Sequence, residues 1–167
     1  EQLLQQYHFA RTILVPINKG YGYGILQGLK ACKGDYIGWT HADMQTDPAD
    51  CLKALALIKQ SNTPEKLFIK GRRSGRPMSD RLFTMGMTVF ETLLLRRVLV
   101  DINAQPVVFA HSFFALWKNA PHDFSLDLYA YYQAKLNKLS IQRVPVIFSE
   151  RLHGVSHWNT DIRAKIK

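Results

Sequence analysis

The stretch 35-DYIGWTHADMQTDP-48 joins a strand-like run to a cluster of polar side chains. The strand predicted over 35–40 is largely apolar on both faces, which is typical of a strand buried in a parallel sheet. His41 and Asp43 follow at once, and ligands of open α/β sheets bind beyond the carboxyl ends of the strands. The sequence therefore predicts a buried strand with a ligand-binding loop after it.

Start signals for a helix come directly after this loop. Asp47 suits an N-cap, Pro48 the first helical position and Asp50 the first turn, so we predict a helix from there to about Gln60. Working outward, the other predicted elements are a β-branched strand at 12–15, a helix from 23 that ends before Gly34, a strand at 67–70, a helix at 81–99, strand or strand-turn pieces at 107–109 and 113–117, a helix at 126–137, and a strand at 141–148 whose Pro145 suggests a sheet edge. This order predicts a single α/β domain over 1–167, with a mostly parallel sheet flanked by helices.

The composition is that of a folded, basic protein. Hydrophobic residues make up 47% of the 167 positions and charged residues 21%, which argues against a disordered chain. The net charge of +9 favours an anionic partner, such as a phosphate-bearing substrate, a nucleic acid or an acidic lipid surface, although charge can also serve solubility alone. Cys32 and Cys51 are too few for a disulfide framework, so we expect a reducing, cytoplasmic compartment. No apolar run approaches the length of a spanning helix, and the first residues do not read as a signal peptide.

Asp43 and Gln45 present two oxygen donors two residues apart. In an extended turn both can point to one side, where Mg²⁺ or Mn²⁺ could bind with phosphate and water completing its shell. A metal held in this way neutralises a diphosphate leaving group. An Asx-type turn that leads into the helix explains the same residues without a metal, and spacing alone does not separate the two interpretations.

A longer segment carries a more specific likeness. The run 18-NKGYGYGILQGLKACKGDYIGWTHADMQTDP-48 resembles the central segment of family 2 glycosyltransferases, in particular those that act as dolichyl- and polyprenyl-phosphate sugar transferases. Further matches follow in family order: the basic loop that begins 71-GRR-73, the segment 101-DINAQPVVF-109, and 124-FSLDLYAYYQAKLNKLSIQRVPVIFSERLHGVSHW-158. The resemblance spans nearly the whole chain and implies a GT-A type, Rossmann-like fold.

The resemblance also implies a role for each matching residue. Asp43 would hold the divalent metal that bridges the donor's diphosphate, with help from Gln45. The residues implied in donor binding are Asn18, Gly20, His41, Asp43, Arg151 and Ser156. Those implied in holding the phosphate of a polyprenyl or dolichyl acceptor are Arg73, Arg81 and Thr84. Asp127 matches the position of a general base, which a hydroxyl acceptor needs and a phosphate acceptor does not, so Asp43 and Asp127 are the implied catalytic residues.

The sequence departs from the family pattern in two places. His41 stands where the family has the first acid of an Asp-Ala-Asp motif, and a neutral imidazole can hydrogen-bond or bind a metal but supplies no negative charge. The family's first strand, first helix and Asp-Gly-Ser loop have no counterpart, so we expect a domain truncated at its N-terminus.

Several segments keep an alternative interpretation. Five cations suit phosphate binding but also suit a solvated loop: Lys70, Arg72, Arg73, Arg76 and Arg81. Asp127 could instead be a capping or surface residue. His153 and His157 have zinc-like spacing but no accompanying cysteine pair. The apolar face of the helix at 81–99 suits packing in the core, or peripheral contact with the cytoplasmic face of a membrane.

Three functions remain in competition at this point. The first is metal-dependent, inverting transfer of a sugar from a UDP- or GDP-linked donor to a lipid phosphate, as in cell-envelope or glycolipid biosynthesis. The second is an inactive scaffold of the same fold, which His41 and the absent front part favour. The third is a nucleic-acid-binding module, but the basic residues gather in one loop and the tail instead of alternating with aromatic residues, so we expect no nucleic acid partner.

Overall fold

The structure is a computed structural model that describes residues 9–43, 45–74, 92 and 94–147. Its helices and strands, in chain order, are α1 (Tyr21–Ala31), β1 (Tyr36–Trp39), α2 (Asp50–Gln60), a 3₁₀ turn (Pro64–Lys66), β2 (Leu67–Ser74), β3 (Val107–Ala110), α3 (His111–Phe114), α4 (Leu126–Leu136) and β4 (Ser140–Ile147). The strand and helix that flank the polar cluster therefore lie where the sequence predicts them.

The four strands form one sheet in the order β1-β3-β2-β4. β3 is antiparallel to both of its neighbours, whereas β2 and β4 are parallel. As a result β1, β2 and β4 all run in the same direction and only β3 is reversed. The predicted α/β fold, with most strands running one way and helices flanking the sheet, is confirmed. Pro145 lies on β4, which is an outer strand of this sheet as predicted.

Helices cover both faces of the sheet. On one face, α1 and α4 enclose an aromatic core in which the Phe68 ring stacks on Phe109 and Tyr131, with ring centroids 5.6 and 6.1 Å apart. On the other face, α2 packs Ala54 and Ile58 against β2, β3 and β4. Each fully buried large side chain contributes about 1.5–3 kcal/mol, so the two cores hold the sheet between the helix layers.

Two of the strand predictions are wrong. Residues 12–15 belong to no strand of the described sheet, and Leu14 is 78% exposed. β propensity describes how well a residue fits a half-buried pleated surface, so a β-branched run that packs against no neighbour does not form a strand. Residues 111–114 form the short helix α3 in place of a strand, since a helical turn lets Phe113 and Phe114 both reach the Trp117 ring.

The helix predicted at 81–99 falls largely outside the described residues. Its described end, Leu94 and Leu95, is helical, and the chain turns at Arg96 with a φ of 51°. The helix therefore stops before the predicted end at Leu99. Leu99 itself is fully buried in the aromatic core, whereas Val98 is exposed. Among the described residues, no helix is long and apolar enough to cross a bilayer.

Candidate active site

The candidate site lies at the carboxyl end of β1, beside the start of β3 and the middle of β2. Trp39, the last residue of β1, is paired with Val107 at the start of β3, and Val107 is also paired with Lys70 of β2. The Asp43 loop after β1 and the segment before β3 therefore leave the sheet at the same edge. This is the edge at which open α/β sheets bind their ligands.

A buried hydrogen-bonded network joins three distant parts of the chain at this edge. The hydroxyl of Tyr21, at the start of α1, donates to Asp127 Oδ2 over 2.8 Å. Gln105 Nε2, from the segment before β3, donates to the same hydroxyl over 2.7 Å. Asp127 and Gln105 are each only 2% exposed. Asp127 is thus neither a surface residue nor the cap of α4, so that alternative is wrong.

Two oxygens of this network lack a hydrogen-bond partner among the described residues. They are Asp127 Oδ1 and Gln105 Oε1, and both are buried. A buried polar atom without a partner costs about 1–3 kcal/mol, and such atoms in folded proteins call for a functional explanation. Asp127 Oδ1 is the more informative of the two because it belongs to a buried carboxylate.

The electrostatics of the network follow from its burial. Burial and then the charge of Asp127 raise the pKa of Tyr21 far above its ordinary value, so the phenol keeps its proton. Burial lowers the pKa of Lys70 to about 8, and the negative charge of Asp127 opposes that effect. Lys70 lies inside β2, donates to the Ile102 carbonyl and has its ammonium 5.6 Å from the Tyr131 ring centre. Its interpretation as a phosphate-binding cation of a loop is therefore wrong.

The glycines around Tyr21 let another loop pack closely against α1. A Cβ on Gly22 would lie 2.6 Å from the Pro121 carbonyl oxygen and 2.7 Å from that of Asp123. Gly20 has a φ of 113° and is equally close to the His122 carbonyl. The Tyr23 amide donates to that carbonyl, and the loop leads directly into α4.

Aromatic stacking completes this contact between the loop and α1. The Tyr21 ring stacks on Phe124 with centroids 4.7 Å apart. Asn18, which the resemblance implies in donor binding together with Gly20, accepts the Gly20 amide at Oδ1, and both residues are exposed. The glycine-rich segment thus places Tyr21 against Asp127.

The predicted metal-binding residues lie in a tight turn. Asp43 Oδ1 accepts the Gln45 amide over 3.2 Å, and Asp47 Oδ1 accepts the Ala49 amide over 2.8 Å. The first bond forms the Asx-type turn that the sequence predicts. The predicted N-cap at Asp47 is wrong, because α2 begins at Asp50 and its N-cap position is Ala49, which has no side-chain cap bond. His41, Asp43 and Gln45 are all half-buried.

The donor set of this turn fits a hard cation only in part. Within the described ranges, no group of three or more His, Cys, Asp or Glu residues is placed to hold a metal ion. Asp43 and Gln45 offer a carboxylate and an amide oxygen, both of which suit Mg²⁺ or Mn²⁺. They fit such an ion if substrate diphosphate and water supply its remaining ligands.

Arg73, predicted to hold an acceptor phosphate, is paired with Asp101. The Arg73 amide donates to Asp101 Oδ2 over 2.8 Å and its Nε donates to Oδ1 over 2.7 Å. The two side chains are 12% and 8% exposed, so the ion pair is nearly buried. Arg72, its neighbour in β2, is exposed. The pair anchors the Arg73 guanidinium at the end of β2.

Other predicted site residues lie outside the described residues: Arg81, Thr84, Arg151 and Ser156, together with Arg76, His153 and His157. Sequence reasoning gave no role to Tyr21 or Gln105. A polar residue immediately before a buried strand, and a tyrosine set between glycines, were the available signals. Neither signal indicates which residue Tyr21 or Gln105 would contact, because the contacts join residues far apart along the chain.

Comparison with protein-family models matches residues 1–125 to the family described as Glycosyl transferase family 2. The match covers three quarters of the chain and includes Tyr21, Asp43 and Gln105, and Asp127 lies just beyond it. Comparisons with curated proteins and with solved structures gave no match.

Proposed function

The chain belongs to glycosyl transferase family 2, and on that premise we propose that it transfers a sugar from a UDP- or GDP-linked donor to an acceptor with inversion at the anomeric carbon. The proposal rests on Asp127, a buried carboxylate whose Oδ1 has no hydrogen-bond partner among the described residues. It lies at the sheet edge from which the Asp43 turn also leaves. That arrangement supports a reaction between a diphosphate-bearing donor and an acceptor at this edge.

The proposed reaction is a direct displacement. The acceptor oxygen forms a bond to the anomeric carbon, while the bond from that carbon to the diphosphate oxygen breaks. The electron pair leaves with the nucleoside diphosphate. When the acceptor is a hydroxyl, Asp127 Oδ1 takes its proton as general base. A divalent cation held by Asp43 and Gln45 would supply neutralisation of the leaving diphosphate.

Two acceptor classes are compatible with this chemistry. A polyprenyl or dolichyl phosphate is the class that the resemblance implies, and the net charge of +9 supports an anionic acceptor. Within the described residues, however, Arg73 is engaged with Asp101. A hydroxyl acceptor is favoured by the buried Asp127, because a phosphate nucleophile is already anionic and needs no base.

Donor binding tests the proposal most directly. The protein is titrated with UDP-glucose and GDP-mannose by calorimetry, with Mn²⁺ and with EDTA. We expect Mn²⁺-dependent binding of one donor that Asp43→Asn weakens at least 10-fold, since asparagine can still accept the Gln45 amide but lacks the charge. Asp47→Asn is the matched control, because it makes the same change four residues later, in the turn before α2.

The other functions make different predictions in the same titration. An inactive scaffold binds neither donor under any condition. A nucleic-acid-binding module binds an oligonucleotide without metal, with an affinity that falls steeply as salt rises. Donor binding that is equally weakened by both substitutions, or by neither, contradicts a metal role for Asp43.

A second experiment separates the acceptor classes. Turnover is measured with a short-chain polyprenyl phosphate and with the corresponding polyprenol, using wild type and Asp127→Asn. With the alcohol, the loss of a general base is expected to lower kcat by about 10²- to 10⁴-fold. With the phosphate, the same substitution should leave kcat nearly unchanged, because no proton has to be removed.

A further inference from the structure

The orientation of the Tyr21 hydroxyl follows from its two partners. An amide nitrogen can only donate, so the hydroxyl accepts from Gln105 Nε2. Its own single hydrogen is then free to point at Asp127 Oδ2. The opposite orientation of the Gln105 amide would place two acceptors, the amide oxygen and the carboxylate, on a hydroxyl that has one hydrogen. The direction of the chain Gln105 to Tyr21 to Asp127 is therefore set by hydrogen-bond chemistry.

The two oxygens of Asp127 are unequal as a consequence. Oδ2 is held by the Tyr21 hydroxyl, whereas Oδ1 has no hydrogen-bond partner among the described residues and is buried. The side chain as a whole is 2% exposed. A carboxylate held at one oxygen keeps a fixed direction, and its other oxygen is the one left to meet a substrate group.

Nothing in the packing of Tyr21 requires its hydroxyl. The ring already stacks on Phe124 with an interplanar angle of 11°, and Gly20 and Gly22 let the 121–123 backbone close over the helix start. A phenylalanine would keep these ring contacts. The hydroxyl, placed between two side chains that are almost fully buried, serves the carboxylate and not the core.

We propose that Tyr21 is a positioning residue for Asp127: its hydroxyl, oriented by Gln105, holds Oδ2 so that Oδ1 faces the nucleophilic hydroxyl. This inference rests on the proposed sugar transfer, in which Asp127 receives the proton of that hydroxyl. Tyr21 neither touches the acceptor nor exchanges a proton with it. Gln105 acts one step further away, by deciding where the Tyr21 hydrogen points.

The first arm of the test needs no turnover. The protein is labelled with ¹³Cζ-tyrosine, and the Tyr21 resonance is assigned by its loss in Tyr21→Phe. Asp127→Asn and Gln105→Met should each move this resonance. The control Asp123→Asn changes a residue of the loop that packs against α1, whose carboxylate bonds to Ser125 and not to Tyr21, and it should leave the resonance in place. A Tyr21 resonance that does not respond to Asp127→Asn overturns the inference.

The second arm is a double-mutant cycle on nucleotide release from UDP-glucose or GDP-mannose, with water as the acceptor. Tyr21→Phe is expected to lower kcat about 10-fold or more, with little change in KM for the donor, and to lower Tm because Asp127 Oδ2 and Gln105 Nε2 lose their buried partner. In the Asp127→Asn background it should cause less than a further twofold loss, because Tyr21 acts through Asp127. Tyr23→Phe, which removes the same atom from the same helical turn, is the matched control.

The outcomes separate the inference from the proposed function. Additive losses in the cycle, or a wild type that releases nucleotide but is indifferent to Asp127→Asn, overturn the positioning role and leave sugar transfer standing. Failure of the wild type to release nucleotide from any donor counts against the proposed function, and the labelled tyrosine still decides whether the contact exists.

Discussion

Replacing Gly22 with alanine should disrupt the packing of the 121–123 loop on the start of α1. A Cβ at this position would lie 2.6 Å from Pro121 O, 2.7 Å from Asp123 O and 2.9 Å from His122 C. All three are backbone atoms, so no side-chain rotation relieves the clash. Overpacking of this kind costs about 1–3 kcal/mol, and loss of the hydrogen bond from Tyr23 to His122 adds about 1 kcal/mol. The better helix propensity of alanine returns about 1 kcal/mol, which leaves a net loss of roughly 1–3 kcal/mol.

Gly24→Ala is the internal control for this prediction. It lies on the same helix, and a Cβ there meets nothing within 4 Å. The same substitution should therefore stabilise the protein by up to about 1 kcal/mol. With a difference near 3 kcal/mol between the variants, the Tm values should differ by roughly 6–12 °C for a chain of this size. Urea unfolding followed by circular dichroism measures both. If Gly22→Ala proves as stable as Gly24→Ala, the loop at 121–123 does not pack on α1 as described.

Two further stability predictions concern the charged groups around the site. The pKa of Lys70 is lowered from 10.5 to about 8 in the folded state, so the unfolded chain binds more protons between those values and stability rises with pH in that window. Relative to Lys70→Met, wild type should gain about 2 kcal/mol between pH 7.5 and 9.5, and parallel curves from urea unfolding at each pH would contradict the burial of this amine. Asp101→Asn keeps a residue that tolerates the local φ of 55° but removes the negative charge that the nearly buried Arg73 guanidinium contacts, and we expect a loss of about 3–5 kcal/mol. Lys53→Met breaks a pair with Asp50 in which the lysine side chain is 58% exposed and only the carboxylate is buried, and it should cost about 1 kcal/mol or less in the same assay. Equal losses would show that the Arg73 guanidinium is no better shielded from water than the Lys53 ammonium.

Local patterns carried most of the secondary structure near the site. β1, α2 and the Asx-type turn between them lie where the stretch at 35–48 predicts, because apolar runs and Asp-containing turns depend on neighbours only a few residues away. The run at 12–15 shows where this reasoning fails. Its residues favour a strand, but the run pairs with no strand of the described sheet.

The role of Lys70 could not be read from its neighbours in sequence. Beside Arg72 and Arg73 it looks like one cation of a basic loop. In the structure β2 continues through this segment, and the strand turns Lys70 toward the buried Tyr131 ring while Arg72 remains exposed. Lys70 and Arg72 share one face of β2, because side chains alternate along a strand. Charge clustering in a sequence does not show which of them lies beneath a covering helix until the sheet and its helices are known.

The sequence by itself determined the α/β class, the polar loop after β1 and the candidate roles of Asp43 and Asp127, since each depends on short-range pattern or on an ordered set of motifs. Only the tertiary structure decided that Tyr21 meets Asp127 across 106 positions and Gln105 across 84. Those contacts depend on the order of the strands and on a loop that closes over two glycines. Such long-range packing brings together groups whose spacing along the chain carries no sign of their partnership.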